Sequence, residues 1–135
     1  MTTTAPTQTL VIEREMQYPP EKIWRALTES PLIEQWLMKN DFQPVVDHRF
    51  SLRADWGSVD CQVLTVEPDK ILSYSWVAYG LATVVTFTLT PTGGGTRVRM
   101  EQSGFRSDQD ANYKGATYGW QSFLGSLERV AGGLN

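Results

Sequence analysis

Residues 109–131 place large or apolar side chains at the spacing of one helical face: Tyr113, Ala116, Thr117, Trp120, Phe123, Leu124, Leu127, Val130 and Ala131. Lys114, Gln121, Glu128 and Arg129 fall mostly on the other side, so this helix is amphipathic and has to lie across an apolar partner. Upstream of it, strand patterns dominate. The partner is therefore a sheet, and the chain has to be organised as one long helix covering one sheet.

Residues 10–18 alternate, with Leu10, Ile12, Arg14 and Met16 on one side and Val11, Glu13, Glu15 and Gln17 on the other, until Pro19 and Pro20 end the run. Pro20 suits the first position of a helix, with Glu21 in the first turn and Ile23, Trp24 and Leu27 as its buried stripe. Ser30-Pro31 repeats that signal, a cap residue followed by proline, for a second short helix that turns Leu32, Ile33, Trp36 and Leu37 inward. Strands follow at 43–46, 49–55, 58–66, 70–77, 82–90 and 96–103. Turn residues separate them at Asp47-His48, Trp56-Gly57, Pro68-Asp69, Tyr79-Gly80 and 92–95, and such short links imply antiparallel neighbours. Parity then puts Phe50, Leu52, Val59, Cys61, Val63, Leu72, Tyr74, Trp76, Val85, Phe87, Leu89, Val98, Met100 and Gln102 on the apolar face. Arg49, Ser51, Arg53, Thr86, Thr88, Arg97 and Arg99 take the wet face, so the sheet is covered once.

At 135 residues with 41% hydrophobic content, the chain is expected to form a single domain, 10–135, behind a disordered tail, 1–9. A net charge of −3 and a pI near 5.1 argue against a nucleic-acid partner. Cys61 is the only cysteine, which excludes an intrachain disulfide and a multi-cysteine zinc site and fits a reducing compartment. The first residues are Thr-rich, without the basic start and apolar run of a signal peptide, and no stretch reaches the roughly 18 apolar residues that span a bilayer. The expectation is a cytoplasmic protein with no membrane association.

Several stretches carry a family likeness: Glu13-Arg14, Ile23-Trp24-Arg25-Ala26-Leu27-Thr28, Gln35-Trp36-Leu37, the run from Val63 to Pro68 with Leu72-Ser73-Tyr74-Ser75-Trp76, Gly94-Gly95-Thr96-Arg97-Val98, Ser103-Gly104-Phe105 and Gly119-Trp120. With the order of one strand, two short helices, six strands and a long helix, these resemble the SRPBCC (START-like) superfamily. The branch they are similar to is the C-terminal domain of the activator of heat-shock protein 90 ATPase. The likeness implies an α+β helix-grip fold: a curved antiparallel sheet, two short helices after the first strand, and a long C-terminal helix across the concave face. It also implies a cavity between sheet and helix that holds an apolar small molecule in many members. Where many relatives have a Gly-Gly pair this chain has Asp47-His48, and aspartate tolerates left-handed backbone better than histidine does.

The loops 55–58, 77–82 and 104–109 should emerge at one end of the meander, and each brings an aromatic ring. Trp56, Tyr79, Phe105 and Tyr113 would either rim a cavity mouth or plug that end as core. The walls of such a cavity would be Met16, Leu52, Val63, Tyr74, Trp76, Phe87, Met100, Gln102, Thr117, Trp120 and Leu124. Arg14 shares a face with Ile12 and Met16, where an unpaired guanidinium is costly. Its partner would be an acid on a helix or loop, neutral acceptors such as Gln102 and Tyr74, water, or the acidic head of a ligand. His48, the only histidine, reads as a solvated turn residue, and Cys61 as a packing cysteine. Gly115, Gly119 and Gly125 inside the long helix imply either close approach to the sheet or room for a ligand. No carboxylates pair at acid–base spacing and no ligand set for a metal converges, so neither catalytic residues nor a cofactor are expected. The leading reading is a binder of a small apolar or amphipathic molecule, as monomer or homodimer. The alternatives are a chaperone-associated interaction domain and, behind it, a cyclase- or hydrolase-type START-like enzyme.

Overall fold

The computed structural model describes residues 7–134. Strand β1 (Thr7–Met16) leads into helices α1 (Pro20–Thr28) and α2 (Ser30–Trp36), then β2 (Lys39–Asn40), β3 (Arg49–Ala54), β4 (Gly57–Glu67), β5 (Ile71–Ala78), β6 (Leu81–Pro91), β7 (Thr96–Arg106) and helix α3 (Asp110–Gly132). One antiparallel sheet of seven strands has the order β1-β7-β6-β5-β4-β3-β2, so the first strand closes onto the last and everything between is a meander. This is the α+β helix-grip arrangement.

Parity decides the core as expected. Phe50, Leu52, Val59, Cys61, Val63, Leu72, Tyr74, Val85, Phe87, Leu89, Val98, Met100 and Gln102 are all buried, as are Leu10 and Met16 of β1. Trp76 is only half-buried. In the helices, Pro20 stands in the first turn of α1, and Ile23, Leu27, Ile33, Trp36 and Leu37 face inward. The Trp36 indole N–H donates to the Ala26 carbonyl oxygen at 2.7 Å and locks the two short helices together. Ser30 is the first residue of α2 and not its cap; its hydroxyl donates to the Asn40 carbonyl oxygen at 3.2 Å, tying the helix to β2.

Four expectations need correction. β1 begins at Thr7, because Thr7, Gln8 and Thr9 pair with Arg106, Phe105 and Ser103; only residues 1–6 of the expected tail lie outside the described residues. Residues 43–46 form no strand: a short pairing of Lys39 and Asn40 with Arg53 and Leu52 takes the sheet edge instead, and Val45 and Val46 are exposed. Asp47 does take the left-handed conformation at φ 72°, and the chain then turns into β3. His48 is half-buried, with Nε2 donating to the Asp41 carbonyl oxygen across 3.0 Å and its ring stacked on Phe50.

The fourth correction shapes the site. β7 does not stop at 103 but continues to Arg106 through a bulge at Gly104, whose φ of +106° and close approach to the Ala82 carbonyl oxygen admit no side chain. One extra residue reverses the parity, so Phe105 turns into the core and is 0% exposed. A second bulge between Val63 and Thr65 shifts the parity of β4 by one, so that Val63 stands opposite Tyr74 but Val66, not Thr65, stands opposite Leu72.

Candidate functional site

Most of the space between helix and sheet is filled with rings. Phe42 and Phe50 meet at 5.0 Å, Phe50 and Tyr74 at 5.2 Å, Tyr74 and Phe87 at 6.1 Å, and Phe87 and Trp120 at 5.8 Å, mostly edge to face. Met16, Leu52, Val63 and Met100 are buried in this packed interior and away from the recess under α3, and Leu124, also buried, borders a surface depression with Ile12, Glu13, Arg14 and Gln121. The rings at these positions are long enough to span from sheet to helix, so no large void survives.

A smaller space remains under the first half of α3. It is a recess of about 170 Å³ between Met38, the tip of the β3–β4 hairpin at Trp56, Trp76 of β5, Leu81 of β6, Gln102 of β7, and Gly115, Ala116, Gly119, Trp120 and Phe123 of α3. Two glycines one turn apart keep it open. A side-chain carbon at Gly115 would meet nothing within 4 Å, and one at Gly119 only the Phe123 ring at 3.9 Å. Among the described residues, no titratable side chain lines the recess. Wider depressions, up to about 420 Å³ beside Asp41, Arg49 and Asp60, lie on the surface with walls that mix polar and apolar side chains.

The floor holds one polar chain. The Trp120 indole N–H donates to Gln102 Oε1 at 2.8 Å, Gln102 Nε2 donates to Thr83 Oγ1 at 2.9 Å, and Thr83 Oγ1 donates to the Trp76 carbonyl oxygen at 3.0 Å. Indole can only donate, so it settles which end of the Gln102 amide is oxygen. Gln102 is 1% exposed and Thr83 4%, so these bonds stand where a lost partner costs most.

The three loops expected at this end do meet. Trp56 is 56% exposed at the mouth and Tyr79 76%; the Tyr79 hydroxyl donates to the Trp56 carbonyl oxygen at 3.1 Å, with the rings 6.2 Å apart. Gln109 Nε2 donates to the Gly80 carbonyl oxygen at 3.2 Å, and its Oε1 accepts from the Arg106 backbone N–H at 2.9 Å, tying the β5–β6 turn to the start of α3. Of the four rim aromatics, however, only Trp56 touches the recess. Phe105 packs edge-on against Tyr113 at 5.4 Å and closes the wall behind, while Thr117 turns its hydroxyl back to the Tyr113 carbonyl oxygen.

Trp56, Trp76, Gln102 and Trp120 are therefore the expected site residues that the fold brings together. Gly115, Ala116, Gly119 and Phe123 had visible signals in the helical spacing, and Met38 and Leu81 had none, because Met38 sits in the connection after α2 and Leu81 is the first residue of β6, one position ahead of the strand that the pattern marks.

Arg14 belongs elsewhere. Its parity is as expected, but β1 is the sheet edge, so the long side chain reaches past α3 toward water and is 44% exposed. Its Nε donates to Glu128 Oε1 at 2.8 Å, and its terminal nitrogens lie 3.9 Å from where a side-chain carbon on Gly125 would sit. One partner is thus an acid on the helix, and a depression of about 360 Å³ lined by Ile12, Glu13, Arg14, Gln121 and Leu124 opens beside the guanidinium. Cys61 is buried as expected: burial, then the nearby charges of Asp60 and Asp41, push its thiol up to about 12, so it stays protonated and unreactive at neutral pH. Burial likewise raises the Tyr74 phenol well above its ordinary range, with negative charge at Cys61 adding to it.

Among the described residues, no helix is long and apolar enough to cross a membrane. No curated protein matches the chain. Solved structures do. Protein MLL2253 of Mesorhizobium loti is 56% identical over 95% of this chain and 99% of its own, with a TM-score of 0.91. Bacillus halodurans protein BH1534 is 25% identical over 92% and 96%, with a TM-score of 0.82. The Aha1 dimer of Colwellia psychrerythraea shares the fold at 23% identity over 90% and 93%, with a TM-score of 0.81. The sequence model described as activator of Hsp90 ATPase homolog 1-like protein matches residues 17–132, nearly the whole helix-grip domain, and the chain belongs to that family.

Proposed function

We propose that this protein binds a small, neutral, largely apolar molecule in the recess beneath the first half of α3. The observation that carries this reading is the wall itself. Three tryptophans and Phe123 face a space that Gly115 and Gly119 keep clear, although alanine at either place would favour the helix. A volume of about 170 Å³ suits a single ring, since an apolar cavity of roughly 150 Å³ in another protein accepts benzene. Charged ligands are disfavoured, because the lining offers no counter-ion.

Toluene titration followed by backbone and indole N–H resonances tests the reading. Saturable shifts confined to Gly115, Gly119 and Trp120, absent in Gly119→Leu, support it. A flat response to toluene and to phenol alike would remove it.

The exposed Trp56–Tyr79 pair favours a second reading, in which the same mouth docks a chaperone or a second copy of the chain. Sedimentation with and without a chaperone of the Hsp90 class distinguishes the two. A complex abolished by Trp56→Ala and Tyr79→Ala, with no toluene shifts, would favour docking.

A further inference from the structure

The buried polar chain on the recess floor has a direction, and the direction leaves a remainder. Trp120 Nε1–H can only donate, which forces Gln102 Oε1 toward it and Nε2 toward Thr83. Thr83 Oγ1 accepts that bond and passes its own hydrogen to the Trp76 carbonyl oxygen. Every hydrogen of the polar chain is then committed except one on the Gln102 amide. An amide nitrogen carries two hydrogens, and Thr83 Oγ1 takes one. Among the described residues no acceptor meets the other. Gln102 is 1% exposed to bulk solvent yet lines the recess, so the side chain that carries the spare N–H borders an apolar space large enough for one ring. A spare lone pair on Oε1 accompanies it.

We propose that Gln102 is the specificity-determining residue of this recess, selecting a ring that bears an uncharged oxygen acceptor over a plain hydrocarbon ring. This deepens the binding reading above and rests on it. The ring contacts Trp76 and Trp120, while its oxygen accepts from Gln102 Nε2–H; a hydroxyl oxygen can also return its hydrogen to Oε1. A carboxylate is rejected, because no cation lines the recess to offset its burial.

Phenol, toluene and benzoate, close in shape, separate the outcomes. The intact protein should bind phenol at least as tightly as toluene and should not take up benzoate. Gln102→Leu should shift the phenol-to-toluene affinity ratio by on the order of tenfold toward toluene, the worth of one net hydrogen bond. That variant strands the Trp120 N–H and can unfold, so a second readout uses the unaltered protein: one Gln102 side-chain amide hydrogen moves on phenol addition and stays put with toluene. Toluene binding more tightly than phenol, or an unmoved Gln102 amide, would overturn the inference and leave the binding reading standing, whereas benzoate matching phenol would overturn both, since that reading takes a neutral ligand. Failure of both toluene and phenol to bind would remove both.

Discussion

The two halves of α3 are one amphipathic helix in sequence and two different objects in the fold. From Trp120 onward it buries Trp120, Leu124, Leu127 and Ala131, and the helix as a whole packs mainly on α1, α2 and β1. From Asp110 to Gly119 it buries nothing fully, and its inner face passes over the recess. The apolar spacing is continuous; what differs is the size of the side chains. Leucines at 124 and 127 fill the gap to their neighbours and contribute about 1.5 to 3 kcal/mol each by burial, whereas glycines at 115 and 119 contribute none and leave space. The lesson is a division of labour along one helix, with stability held at the C-terminal end and room for a ligand at the N-terminal end.

Truncation should separate the two parts of the helix most strongly. Leu127→Ala should cost about 2 to 5 kcal/mol in urea unfolding, and Phe123→Ala, half-exposed at the recess, only about 1 kcal/mol. Equal losses would end the distinction between the face of α3 that is packed solid and the face that borders the recess. Next, the filled interior should resist charge. The unfolded chain releases the Cys61 proton above about 9.0, while the folded chain holds it until about 12. The native state therefore binds more protons across that window, and stability falls as pH rises through it. Tyr74 acts in the same sense at higher pH. Below pH 9 neither group changes stability, and Cys61→Ala should flatten the first part of the decline in melts taken from pH 8 to 11.

Smaller effects sharpen the hollow half. Gly119→Ala should stabilise the protein by about 1 kcal/mol, since the added carbon meets only Phe123 at 3.9 Å, while weakening toluene binding. A destabilised variant would show that the recess is tighter than described. Least of all, Glu128→Gln should cost no more than about 1 kcal/mol, and less in high salt, because its Arg14 partner is 44% exposed. A large, salt-independent loss would mean that the ion pair, and not Leu124 and Leu127, holds the solid half in place.

Much of this architecture is legible in the chain without coordinates. Strand alternation assigns Phe50, Tyr74, Phe87 and Gln102 to the inner face because side chains alternate rigidly with backbone pleat. Pro20 marks a helix start because proline suits the first turn. Where reading failed, a local exception had intervened. Gly104 inserts one residue and turns Phe105 from rim to core, and the strand edge lets Arg14 escape a face that its parity assigned to the interior. Neither residue type changes; only its neighbours do.

From its order of residues alone, then, the chain determined its periods: which segments are helix, which are strand, and which side of each is apolar, since those follow from backbone geometry repeated over a few residues. The tertiary structure alone decided how much of the space beneath α3 is filled. That depends on the summed reach of Phe50, Tyr74, Phe87 and Trp120 from opposing elements, on two bulges that shift their aim, and on glycines whose missing side chains matter only once a facing surface is in place.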